Sequence, residues 1–356
     1  MKKLIPIILI LALLLCGCAE VTAQLPGQTP VQPTLDPDSA GDNMLTVHYI
    51  DVGQADCALI ETGGKYVLID GGNKEDGQLV VTYLQEQGVE ELEAVICTHA
   101  HEDHVGGLPS VLAVFPTKAV YSPTKTYASN IYDDFMYYVD QQGLEVTLPT
   151  PGDEFIVNQA SFTILGPTEN YAETNDTSII VMLEHLNSRF LFTGDMETAA
   201  ENDMLDYWEG QMDWNVDVLK VGHHGSSTSS GYRFVYETDP EYAIISCGRD
   251  NSYGHPHEEI VSRYNDAGIP MFRTDELGTI LATTDGYEVT ITWENQNAAP
   301  ADVERGEAVT YIGNKNSLKL HAPDCANLPS EKNRVEFDSY DEAIHAGYTP
   351  CGSCLG

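Results

Sequence analysis

Short runs of β-branched and aromatic residues alternate with polar turns along most of this chain. Runs at 45–52, 57–61, 66–69, 94–98, 119–121, 162–165, 179–183, 190–193, 216–221 and 242–247 have the length and make-up of strands. Between some of them, apolar positions recur at helical spacing, which predicts helices at 78–87, 131–142, 197–207 and 258–267. Two more runs, 279–282 and 288–293, flank Asp285-Gly286 and predict a closing hairpin. Many short strands interleaved with helices point to an α/β sandwich, two sheets flanked by helices.

The pattern breaks at both ends. Lys2-Lys3 is followed by an apolar run at 4–15, too short to span a bilayer comfortably, and then by Leu15-Cys16-Gly17-Cys18. Residues 1–18 read as an export leader. The tetrapeptide resembles a bacterial lipobox, which implies lipidation of Cys18 and an extracytoplasmic, membrane-anchored protein; a leader cleaved without lipidation is the alternative. Residues 19–43, rich in Pro, Gln, Thr, Gly and Asp, read as an unstructured tether. A polar linker at 296–307 separates the main region, 44–295, from a C-terminal module at 308–356.

Charge narrows the function. With 17 Lys+Arg against 55 Asp+Glu, the net charge is −38. Tight non-specific binding of nucleic acid needs basic residues that displace counterions, so this surface argues against it. It leaves room for a metal-mediated contact to a single phosphate. Cys57, Cys97 and Cys247 lie singly in apolar runs and are expected in the core.

The chemistry concentrates in one turn. The buried-strand run 94–97 ends at Thr98, and His99, His101, Asp103 and His104 follow. On a loop leaving a strand, His99 and His101 can face one way and Asp103 and His104 another, supplying two adjacent cations. Imidazole and carboxylate suit zinc and its neighbours. The run resembles the His-x-His-x-Asp-His signature of metallo-β-lactamase-fold hydrolases. Within that superfamily the chain looks like the hydrolase domain of ComEC-type DNA-uptake proteins. The likeness rests also on Asp51-Val52-Gly53-Gln54, Asp70-Gly71-Gly72-Asn73, Asn175-Asp176, Thr193-Gly194-Asp195, Gly222-His223-His224-Gly225 and Gly254-His255-Pro256-His257. It implies an αβ/βα sandwich with a metal site at the edge between the sheets, and phosphodiesters as the substrate class.

Each of these positions also has a reading of its own. Asp195 ends an apolar strand, where a carboxylate can bridge two cations, and Gly194 lets the backbone pass close to a neighbour. His223 and His224 follow the strand 216–221. Alternation along a strand predicts that only one enters the site, with His223 favoured as ligand to the second metal. His255 is a candidate proton donor or transition-state contact near the scissile oxygen, and His257 a cap or core residue. Asp51, Asp56 and Asp70 are expected to orient ligand imidazoles. Lys220 is either a phosphate contact or a surface lysine. Many two-metal relatives carry a further histidine before the bridging Asp. The only one in that interval here, His185, falls in an expected hairpin turn, and Asn175-Asp176 stands at the equivalent place. Fewer nitrogen ligands shift preference from zinc toward manganese. Two cations about 3.5–4 Å apart can ionise a water at neutral pH and clamp an in-line displacement, with Asp103 able to hold the nucleophile's proton.

The C-terminal module holds His321, Cys325, Cys351 and Cys354 in two short-spaced pairs. That spacing fits a structural zinc cage, which a module this small needs as a staple. A disulfide from Cys325 to Cys351 or Cys354 is the alternative. The segment resembles the metal-binding domain of Ada-type alkylation-repair proteins, in which four Cys hold zinc and one accepts an alkyl group; His321 stands where that family has its first Cys, a departure that counts against alkyl transfer. The expected activity is a metal-dependent hydrolysis of phosphate esters. Carboxylic ester, lactone or thioester hydrolysis is a second reading, and a surface binding lipoprotein presenting the zinc module is a third.

Overall fold

The computed structural model describes residues 44–300, 311–323, 325–337, 343–344, 346–352 and 354–355. The leader, Cys18, the tether 19–43 and most of the linker lie outside the described residues. In chain order the elements are β1 (Leu45–Tyr49), β2 (Ala58–Thr62), β3 (Lys65–Ile69), α1 (Gly77–Glu86), β4 (Ala94–Ile96), α2 (Glu102–Val105), α3 (Leu108–Val114), β5 (Val120–Tyr121), α4 (Asn130–Gln141) and β6 (Val146–Thr147). Then come β7 (Glu154–Val157), β8 (Ala160–Gly166), β9 (Ile180–His185), β10 (Ser188–Phe192), α5 (Thr198–Tyr207), β11 (Val218–Lys220), α6 (Tyr232–Thr238), β12 (Tyr242–Ile245), α7 (Glu258–Asp266), β13 (Met271–Arg273), α8 (Thr274–Leu277), β14 (Ile280–Thr284) and β15 (Val289–Trp293).

Two sheets face each other. The first runs β15-β14-β1-β2-β3-β4-β5-β6 and the second β13-β12-β11-β10-β9-β8-β7. Leu45, Val47 and Ile60 from the first meet Phe162, Leu183 and Phe190 from the second in one dry layer. The first sheet's outer face is covered from α1, α3 and α4 by Leu84, Val111 and Phe135. That of the second is covered from α5, α6 and α7 by Met204, Phe234 and Ile260. Every residue of β4 and of β11 is buried, because both faces of these strands are covered. The expected αβ/βα sandwich is thus the observed fold.

Each sheet contains a parallel segment, β3 to β6 in one and β10 to β13 in the other. The chain leaves β3, β4, β10, β11 and β12 at their C-terminal ends toward one edge of the sandwich, and the site is built from those exits. The strand at 179–183 continues to His185, which is buried as the last residue of β9; Leu186-Asn187 makes the turn to β10. The closing hairpin is present as β14–β15.

The C-terminal module adds β16 (Tyr311–Asn314), β17 (Lys319–His321), β18 (Arg334–Phe337) and β19 (Thr349–Pro350) in the order β18-β16-β17-β19. Its small core of Tyr311, Leu320, Phe337 and Tyr348 includes Tyr232 of α6. Tyr236 of the same helix meets the Tyr311 ring edge-on at 5.2 Å. No helix among the described residues is long and apolar enough to cross a membrane.

Candidate active site

The first metal-binding motif wraps around the end of β4. His99 is fully buried just past the strand, and His101 is the N-cap of α2. Their rings meet, His99 Nε2 lying 3.0 Å from His101 Nδ1. One helical turn carries Asp103 and His104 onward. The single loop therefore presents two separate pairs, as its spacing requires.

Asp195 stands between them. It leaves β10 through Gly194, whose φ is +49° and where an added Cβ would lie 2.8 Å from Ser178 Oγ. Only glycine fits that combination. The Asp195 carboxylate then divides the surrounding imidazoles. Its Oδ2 faces Nε2 of His99 at 3.8 Å and of His223 at 3.7 Å. Its Oδ1 faces Nε2 of His104 at 3.2 Å and of His224 at 3.6 Å.

Both His223 and His224 thus enter the site, which corrects the expectation that only one would. They do not sit on the strand: β11 ends at Lys220, and the pair lies in a tight turn at Gly222–Gly225. Both adopt left-handed backbone, with φ of 49° and 54°. Such a conformation is costly for residues with a Cβ and is held by surrounding contacts. The turn replaces strand alternation and swings both rings toward Asp195. His224, 3.4 Å from Asp103, groups with Asp103 and His104, while His223, the ligand favoured for the second metal, sits on the side of His99.

Three imidazoles turn Nε2 to Asp195, and behind each a carboxylate lies within 3.3 Å of Nδ1. His104 meets Asp70 at 2.8 Å, His224 meets Asp56 at 3.2 Å, and His223 meets Glu197 at 3.3 Å. Asp70 hydrogen-bonds its ring, in the orienting role expected of it; Asp56 lies beside His224 without a hydrogen bond, the ring's Nδ1 being bonded to the Ser246 carbonyl at 3.0 Å. Glu197 reaches His223 through Thr228, whose hydroxyl lies 3.1 Å from Nδ1 and donates to Glu197 at 3.0 Å, and nothing in the sequence separates it from an ordinary acid before a helix. Asp51 does not take the orienting role. Its Oδ1 instead accepts the Gly53 N–H and shapes the loop after β1. Lys220 is neither a phosphate contact nor a surface lysine. It is buried, 2.8 Å from Asp56 Oδ2, and donates to the Val221 carbonyl.

Electrostatics follow from this packing. Burial opposes charge on Asp195, yet the His104, His224 and His99 rings hold its carboxyl well below the usual carboxylate range. Burial opposes charge on His224 too, but Asp195, Asp56 and Asp103 push it up to about 10. Burial and the adjacent His104 lower His99 far below its ordinary value. Asp195 Oδ1, His104 Nε2 and His224 Nε2 are buried without a hydrogen-bond partner. With Asp103 they bring four ligand atoms within 4.8 Å of one another. Polar atoms buried and unpaired are costly unless something engages them. A divalent cation fits that demand, and the donor set of imidazole and carboxylate suits it.

A cavity of about 770 Å³ opens over these residues, lined also by Gln54, Asn73, Glu75, Glu102, Asn175, Tyr253 and His255. Among the described residues its lining contains no Lys or Arg. His255 is nearly buried, 6.4 Å from His224 between ring centres, and burial lowers its pKa to about 4. His257 is the N-cap of α7, and its Nδ1 accepts the Ser227 N–H at 2.8 Å. Asn175 also borders the site, with Nδ2 3.5 Å from the His223 ring.

Residues 50–249 match the model of the Metallo-beta-lactamase superfamily, which covers the exits of β1 to β12 just described. The chain belongs to the metallo-beta-lactamase superfamily. It is 30% identical over 254 residues to ComE operon protein 3 of Bacillus subtilis, covering 66% of this chain and 32% of that protein. It is 27% identical over 280 residues to Competence protein ComA of Neisseria gonorrhoeae, covering 75% of this chain and 38% of that one. This superfamily member therefore spans about a third of the length of those relatives. A hydroxyacylglutathione hydrolase of Hamiltonella defensa matches at 27% identity over 199 residues, 52% of this chain and 69% of its own.

Outside the superfamily domain, His321, Cys325, Cys351 and Cys354 bring their ligand atoms within 4.8 Å. β17 ends on His321, and its Nδ1 lies 3.3 Å from Cys325 Sγ. Cys351 is tied to β17 by its N–H to the Leu320 carbonyl at 2.8 Å. Cys325, Cys351 and Cys354 are all free thiols, so the disulfide alternative is not formed. Cys57, Cys97 and Cys247 are buried, as expected.

Proposed function

We propose that this metal-dependent hydrolase cleaves phosphate esters, most simply phosphodiesters, at a dinuclear site bridged by Asp195. The observation that carries it is the division of the Asp195 carboxylate, one oxygen toward His99 and His223 and the other toward His104 and His224. His99, His101 and His223 would hold one cation and Asp103, His104 and His224 the other, with Asp195 shared. Two divalent cations, zinc or manganese, supply Lewis acidity and an ionised water at neutral pH. His223 restores a third nitrogen on the first side, which weakens the case for manganese based on the missing histidine.

The chain's own groups do the rest. Asp103 is placed to accept the proton of an attacking water, and His255 lies on the cavity wall to meet the departing or developing charge. The cavity volume suits a nucleotide-sized ester. With no basic lining and a net charge of −38, the metals are the main attraction for phosphate. That favours a small ester or an exposed strand end over duplex tracking. Relatives named for competence support a nucleic-acid-derived substrate. The similarity to hydroxyacylglutathione hydrolase supports thioester hydrolysis as a second reading. Lipidation at Cys18 would set the enzyme outside the cytoplasm on the tether 19–43. The C-terminal His321/Cys325/Cys351/Cys354 cluster is proposed as a structural zinc site.

A substrate panel tests the assignment. Phosphodiesters, phosphomonoesters, lactones and thioesters are offered with zinc or manganese, using His101→Ala as blank. Phosphodiester turnover lost in that variant and in Asp103→Ala, with the fold intact, is the expected result. Turnover confined to thioesters, or surviving metal removal, overturns it.

A further inference from the structure

Gln54 lies on the loop after β1 and lines the cavity beside His255. Its Oε1 accepts the Gly248 N–H at 3.0 Å. A backbone N–H can only donate, so that end of the amide is its oxygen. The amide nitrogen is therefore the end that lies 3.3 Å from His255 Nδ1. An amide NH2 can only donate, so Nδ1 must accept. In the neutral ring the proton then sits on Nε2.

The surroundings keep this geometry in place. At Gly248 an added Cβ would stand 2.7 Å from the Gln54 backbone nitrogen, so the two loops touch directly. Asn251 ties the His255 loop together, its Oδ1 accepting the N–H groups of His255 at 3.0 Å and Tyr253 at 3.1 Å. The Tyr253 ring stacks on His255 at 5.6 Å. Among the described residues, His255 Nε2 has no hydrogen-bond partner.

We infer that Gln54 is a positioning residue that locks His255 as its Nε2–H tautomer, aiming a hydrogen-bond donor into the cavity. His255 would then meet the substrate as a donor to developing negative charge. It would not act as a base that takes a proton at Nε2. The donor's role in turnover rests on the hydrolase reading above; the tautomer does not.

Nitrogen-15 NMR of the zinc-loaded protein, labelled at histidine, tests this. The His255 signals are assigned by their loss in His255→Gln. The expected result is a protonated Nε2 and a bare Nδ1 in the wild type near neutral pH. Gln54→Glu keeps an acceptor for the Gly248 N–H but now accepts from the ring, and should move the proton to Nδ1. A wild-type ring protonated at Nδ1, or a tautomer unchanged in Gln54→Glu, overturns the inference. The wild-type spectrum alone decides if the variant fails to fold. On whichever substrate of the panel is turned over, Gln54→Glu should lower kcat by on the order of tenfold or more, with KM little changed. An unchanged kcat with a reversed tautomer refutes the donor role. A panel with no phosphodiester turnover but a protonated Nε2 refutes the substrate assignment and leaves the tautomer standing.

Discussion

Asp70 Oδ2 lies 2.8 Å from His104 Nδ1, on the side of the ring turned away from the cavity. The same carboxylate receives the Thr98 N–H at 2.7 Å and its hydroxyl at 2.6 Å. One buried acid thus fixes both the ring of a candidate metal ligand and the strand exit that begins the motif. Asp70 has a φ of 58°, a region asparagine tolerates, so Asp70→Asn removes charge with little backbone strain. Metal affinity should fall by roughly 10–100-fold and turnover with it, while the circular dichroism spectrum is retained. A metal titration followed by enzyme assay checks this.

How much of this was legible in the sequence depends on what each residue's role requires. The clustering of His99, His101, Asp103 and His104 was legible because it is local: they lie within six residues. Strand alternation failed at His223 and His224 because left-handed backbone in a turn obeys no strand periodicity. The placement of Glu197 behind Thr228, the burial of Lys220 and the amide of Gln54 depend on contacts between distant segments, which no local spacing encodes. The fold was legible where both faces of a strand are covered, as in β4 and β11. Other elements gave no usable pattern. β7 is a half-exposed edge strand, β13 has three residues, and α6, Tyr-Arg-Phe-Val-Tyr-Glu-Thr, has the composition of a strand.

The division of Asp195 makes the two adjacent histidines separable. His223 faces Oδ2 and His224 faces Oδ1. His223→Ala and His224→Ala should each reduce bound metal from two ions to one in the hydrolase site, with different ions lost. Elemental analysis combined with cobalt spectroscopy would distinguish them. Identical spectra for the two variants would contradict separate sites.

Lys220 and Asp56 form an ion pair at 2.8 Å, both nearly excluded from water. Removing one member leaves an uncompensated buried charge, which costs ~3–5 kcal/mol. Lys220→Ala should therefore lower Tm by on the order of 10 °C, at roughly 2–4 °C per kcal/mol for a domain of this size. A substrate contact would instead raise KM and leave Tm unchanged. Thermal denaturation alongside steady-state kinetics separates the two roles.

Glu201 is buried beneath the start of α6, where its carboxylate accepts the Ser230 N–H at 2.6 Å and the Gly231 N–H at 2.8 Å. Burial outweighs these bonds and nearby Arg263, raising its pKa from 4.5 to about 7. The folded value lies above the unfolded one, so the native protein holds the extra proton across that window. The stability this contributes is complete below about pH 4.5 and is lost as pH rises through about 7. Glu201→Gln should flatten the pH dependence there by up to about 1.4 kcal/mol per pH unit. It should also impose a pH-independent loss of ~1–3 kcal/mol, because the two N–H groups go to separate oxygens and one of these becomes an NH2, which can only donate. Urea denaturation of both proteins from pH 4 to 8 reads the difference; parallel profiles would rule Glu201 out.

The C-terminal cluster makes the last prediction, because the module has little else to hold it. Its core is a handful of side chains around Tyr311, leaning on Tyr232 and Tyr236 of α6. His321 and Cys325 come from one end of β17 and Cys351 and Cys354 from the segment after β19, so a shared ion would tie the two halves of the module together. Tetrahedral zinc held by three thiolates and an imidazole contributes folding free energy on the order of 10 kcal/mol, which such a core cannot replace. Cys351→Ser should therefore lose one zinc per chain. Hydrogen exchange should accelerate in β16 to β19 and at the face of α6 that carries Tyr232. Turnover at the Asp195 site should persist, since that site is built from residues 99–104, 195 and 223–224 and takes no side chain from the module. Unchanged zinc content or unchanged exchange in β16 to β19 would reject the cluster as the module's staple.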